Sequence, residues 1–66
     1  MIFMQNRILK KISISYSKVF RLRNQLEIAN SNGYKKIAER YESEIEKTLN
    51  QIDELNKLLF LNKEEN

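Results

Sequence analysis

Asn30-Ser31-Asn32-Gly33 is the only turn signal in this chain, and its reading decides the fold. Gly33 is the sole glycine and proline is absent, so nothing else punctuates the 66 residues. Asparagine and glycine tolerate the left-handed backbone that ends a helix, and Ser31 or Asn32 can cap a helix that follows. On either side lies a stretch of about 30 residues rich in Leu, Ile, Lys, Glu, Asn and Arg, compatible with long uninterrupted helices. The expectation is an all-α, antiparallel two-helix hairpin forming one domain. Helix 1 covers about 2–30, the turn 30–33 and helix 2 about 34–62, before a short polar tail.

The second half carries the cleaner periodicity. Tyr34, Ala38, Tyr41, Ile45, Thr48, Ile52, Leu55 and Leu59 alternate spacings of four and three, the heptad seam of a left-handed coiled coil. Ile37 and Leu49 flank that seam, and Glu39, Glu42, Glu46, Asp53 and Lys57 fall away from it toward water. In the first half Ile8, Ile12, Val19, Leu22, Leu26 and Ala29 form the matching seam, interrupted by Ser15. Leu9, Tyr16 and Phe20 widen it until apolar groups cover about half the helix circumference. One neighbouring helix cannot bury that much. A homodimer packed as a four-helix bundle would cover the excess through Leu9, Tyr16 and Phe20. At the open end Leu58, Phe60 and Leu61 extend the expected oligomer interface, with Leu58-Leu59-Phe60-Leu61 lying beside Ile2, Phe3 and Met4 in an antiparallel hairpin.

Charge is unevenly divided. Residues 1–33 hold six basic side chains against Glu27 alone, a balance of +5; residues 34–66 hold six basic and eight acidic ones, a balance of −2. A register in which facing residue numbers sum to 65 would bring Arg23 to Glu42, Arg21 near Glu44 and Lys11 near Glu54. Exposed pairs of this kind are worth only about 0–1 kcal/mol each. Arg7, Lys10, Lys18 and Arg21 remain together on one side of helix 1, with Ile14 and Ile28 among them. A basic helix face is often simply solvated; otherwise it can follow phosphates, rest on an anionic membrane or dock on an acidic protein. The exposed isoleucines favour an acidic-surfaced protein over nucleic acid, because phosphate contacts gain nothing from them, and a membrane comes last.

The same composition removes most chemistry. With neither cysteine nor histidine there is no disulfide, no zinc set and no common nucleophile–base pair, and one glycine cannot build a phosphate-cradling loop. The tyrosines fit packing positions. No enzyme activity and no cofactor are expected. Arg7, Lys10 and Lys11 cut the N-terminal apolar stretch too early for a signal peptide, and no run approaches the roughly 20 residues of a membrane span, so a cytoplasmic location is the expectation.

Two known hairpin families bear comparison. In architecture, and in a basic first helix with Phe20 at its flank, the chain resembles the Rop-type plasmid RNA-binding proteins. Those are hairpins of similar length that dimerise into four-helix bundles and bind RNA with their first helices. That resemblance implies nucleic-acid contacts for Arg7, Lys10, Lys18 and Arg21. The sporulation aspartyl-phosphate phosphatases are also short hairpins, marked by Ser-Gln-x-Leu-Asp in their second helix. Here Glu42-Ser43-Glu44-Ile45-Glu46 keeps only the apolar position and an acid, so their activity is not carried over. The expected function is that of a small regulatory or inhibitory protein that binds a partner protein through helix 1 and associates with itself. A nucleic-acid-binding hairpin, and a subunit that only self-assembles, are the alternatives.

Overall fold

The structure is a computed structural model that describes the backbone of residues 2–65 and the side chains of residues 5–61. Two helices, α1 (Ile2–Ser31) and α2 (Lys35–Glu65), pack against each other as a hairpin whose Cα atoms span 50 × 14 × 10 Å. The expected packing of Ile2, Phe3 and Met4 on the open end lies outside the described side chains.

The turn is tighter than the sequence suggested, and it closes from the α1 side. Asn30 and Ser31 remain helical, leaving Asn32, Gly33 and Tyr34 to reverse the chain. Gly33 has φ +74°, the left-handed conformation that costs glycine no Cβ clash. The amide of Tyr34 donates to the carbonyl of Ala29 (2.9 Å) and that of Gly33 to Asn30 (3.1 Å). These are the two bonds of a Schellman C-cap, with Gly33 at the left-handed position. Asn32 does not cap α2 as expected. Its Nδ2 donates backward to the Ile28 carbonyl (3.0 Å), the same oxygen that accepts from its own amide (3.1 Å), so the side chain closes the end of α1. Tyr34 is the N-cap of α2, its carbonyl accepting from Ala38 (2.9 Å). It stands in solvent at 56% exposure, a correction to its expected place on the seam: the seam begins only where α2 does.

Beyond the turn the seams follow the periodicity. Ile8, Ile12, Val19, Leu22 and Ala29 of α1 are buried, as are Ala38, Thr48 and Ile52 of α2, while Ser15, Leu26, Tyr41, Ile45, Leu55 and Leu59 are half-buried. Ile45, Leu55 and Leu59 pack on the cluster of Ile8, Ile12, Val19 and Ile52. Matched outward from the turn, the seams pair Ala29 with Ala38, Leu26 with Tyr41, Leu22 with Ile45, Val19 with Thr48, Ser15 with Ile52, Ile12 with Leu55 and Ile8 with Leu59. In that alignment the numbers sum to 67, where the charge pairing above took 65. Thr48, at 2% exposure, satisfies its hydroxyl locally by donating to the Glu44 carbonyl at 2.8 Å.

Three substitutions check this packing by thermal or denaturant unfolding. Gly33→Ala should destabilise by about 1–3 kcal/mol, since alanine must adopt the left-handed region. Ile52→Ala, at a site 3% exposed, should cost about 2–5 kcal/mol. Thr48→Val keeps the shape and loses only a local bond to a carbonyl that the helix already satisfies. It should be neutral or stabilising by up to about 1 kcal/mol.

Candidate binding surfaces of the hairpin

The seam divides the hairpin into two broad sides. A shallow groove of about 370 Å³ fixes the first, lined by Lys11 and Ile14 of α1 and by Gln51, Glu54, Leu55 and Leu58 of α2. Seven residues return an α-helix to nearly the same face, within about 20°. Arg7 lies one heptad before Ile14, Lys18 one after Lys11, and Arg21 and Ile28 one and two after Ile14. Lys10 is one turn before Ile14. All are exposed, so the proposed partner-contacting residues share one side. Ile14 and Ile28 are each 61% exposed, and Ile14 lines the groove together with Leu58.

Leu9, Tyr16 and Phe20 stand on the other side, roughly 140–180° around the helix from Lys11. Phe20 is 71% exposed, and Leu9 and Tyr16 are each about half exposed. On α2, Phe60 shares a shallow recess of about 410 Å³ with Asp53 and Asn56. Leu49, one heptad before Asn56, is exposed on that same face. The open-end residues are thus divided: Leu58 lies in the basic-side groove, Phe60 on the apolar side, and Leu61 beside it at the outer edge of α2.

The electrostatics differ from the expected pairing. Among the described residues the ion pair formed is Lys57 Nζ to Asp53 Oδ2 at 3.4 Å, one turn apart on α2 and well exposed. Arg23–Glu42, Arg21–Glu44 and Lys11–Glu54 do not close to ion-pair distance. These long side chains stand in water, where pairing would gain little against their lost freedom. The cations of the first side therefore remain uncompensated. Counting charge along the sequence also hid Lys36, Arg40 and Lys47. Their helix is acidic in sum, yet Lys47 and Arg40 lie one and two heptads before Glu54, on the side of Lys11 and Ile14.

Among the described residues no group of three or more acidic side chains is placed to hold a metal ion, and no helix is long and apolar enough to cross a membrane. No protein-family model matches the chain, and no curated protein or solved structure shows significant similarity to it.

The separation of the two sides predicts that reversing Arg7, Lys10, Lys18 and Arg21 to glutamate leaves the fold intact. Each change should stay within about ±0.5 kcal/mol, because none touches the seam. Far-ultraviolet circular dichroism and the unfolding midpoint are the readouts.

Proposed function

We propose that this chain is a small, non-enzymatic regulatory protein of the cytoplasm that acts by binding. It pairs with a second copy through its apolar side and engages an acidic macromolecule through its basic side. The larger part of that contact is the outer face of α1: Arg7, Lys10, Ile14, Lys18, Arg21 and Ile28. The observation that supports this is the opposite character of the two sides.

Leu9, Tyr16, Phe20, Leu49 and Phe60 leave on the order of 500 Å² of large apolar side chain in water, judged from the 150–250 Å² an aromatic residue can bury. Monomeric proteins seldom expose a contiguous apolar patch beyond a few hundred Å². Flanking side-chain stems bring the face near the roughly 800 Å² that each partner of a stable complex buries. Charge selects the same side for self-pairing. Arg23, Lys35 and Lys57 there meet Glu27, Glu39, Glu42, Glu46 and Asp53, a balance of −2. The opposite side carries a much larger uncompensated positive charge and would repel a second copy.

Multi-angle light scattering at micromolar concentration should therefore give the mass of two chains. Tyr16→Ser combined with Phe20→Ser should shift the protein to monomer and lower its unfolding midpoint. A wild-type chain that unfolds cooperatively as a monomer would exclude the paired assembly. A tagged chain carrying the four glutamate substitutions on α1 should lose the partner that the wild-type chain retains.

A further inference from the structure

The basic side does not end with α1. In the register of the seams Lys47 is level with Phe20, Arg40 with Glu27 and Lys36 with Ser31. The α1 cations Arg7, Lys10, Lys11, Lys18 and Arg21 occupy the part nearer the open end. Lys47, Arg40 and Lys36 of α2 continue toward the turn. From the level of Arg7 to that of Ser31 is 24 residues, roughly 36 Å at 1.5 Å per residue. Seven cations thus form one stripe that crosses from the first helix to the second, with Lys36 at its outer edge beside the turn, and among the described residues Glu44 and Glu54 are the acids on its side. Seven minus two leaves +5 among the described residues, against −2 on the apolar side.

We infer that this stripe binds a nucleic-acid duplex by its phosphates. Its length is about one turn of duplex, roughly 34–36 Å. A narrow row of one sign complements a polymer bearing a charge every ~1.7 Å along its axis. A single strand is a poorer match, because binders of single strands supply aromatic platforms for the bases. Here Tyr16, Phe20 and Phe60 lie on the opposite side, Tyr41 is in the seam and Tyr34 is at the turn. Among the described residues the stripe offers charge and no aromatic surface, so the contact is with backbone rather than with sequence. At the Lys36 end the first amides of α2 add the positive pole of the helix dipole. This inference deepens the reading of the basic side as the partner-binding surface and rests on that side remaining free; it sets the length and single sign of the stripe above the exposed Ile14 and Ile28, which take no part in phosphate contacts.

The test is fluorescence anisotropy of a labelled duplex of about 20 base pairs, as DNA and as RNA, titrated with the full chain at about 50 and about 200 mM salt. Binding of either duplex, weakening by about 10³- to 10⁵-fold between the two conditions, is expected for six or more phosphate contacts. Lys36→Gln, Arg40→Gln and Lys47→Gln together should lower the slope of log K against log salt by about two to three. Circular dichroism should show the helices retained. An unchanged slope in that variant, with binding lost in the four-residue α1 variant, overturns the cross-helix stripe while the α1 surface stands. Absence of duplex binding by a chain that light scattering shows to be dimeric overturns this inference and leaves the dimer intact. Equal binding of a single-stranded oligonucleotide overturns the duplex assignment. Equal competition by polyglutamate does so too, and points to an acidic protein.

Discussion

The contact of α1 with α2 along one seam is the tertiary interaction on which the rest of this structure depends. Two helices share only one interface, and each can turn roughly a third of its circumference into it. Ala29 facing Ala38 lets the backbones approach closely beside the turn, and larger pairs such as Leu22 with Ile45 take over further along. There is no third element to close over the flanks. A domain of this size buries a small fraction of its surface and is marginal by itself. The exposed apolar side chains follow from this geometry, since the seam holds only what lies at its two heptad positions.

The seam was legible because its signal is a period. From Ala38 to Leu59, and from Ile8 to Ala29, the expected positions are buried or half-buried, Ser15 and Thr48 included despite their polarity, and Glu44 is half-buried beside them off the expected seam. The turn was legible in its glycine but not in its hydrogen bonds. Asn32 had two helices to serve, and only geometry shows that it serves the first. Tyr34 fits the spacing arithmetic yet falls before the helix begins, where a heptad position has no face to belong to.

The candidate surface was half legible. Arg7, Lys10, Lys18 and Arg21 share one helix, so their common side could be read from spacing alone. That Arg40 and Lys47 share the side depends on which edge of α2 lies next to which edge of α1. Handedness and register determine this, and neither is written in the composition of either half. A balance summed over a helix is a poor guide when that helix carries acid on one edge and base on the other. Nor could the expected interhelical pairs be judged by number alone, because solvent competes for every one of those long side chains.

The two ends of the reversal are unequally built, and this decides what each of them leans on. The last carbonyls of α1 are satisfied by Asn32, Gly33 and Tyr34, all local in sequence. The first turn of α2 has no acidic residue and no side-chain cap, and Lys35 and Lys36 stand at the positive end of its dipole. The end of α1 is therefore set by nearby residues, whereas the start of α2 depends on Ala38 and Tyr41 settling onto Ala29 and Leu26. One side of the reversal is thus held by bonds between near neighbours and the other by packing, so Lys35 and Lys36 follow the turn with neither an acid nor a side-chain cap to fix them.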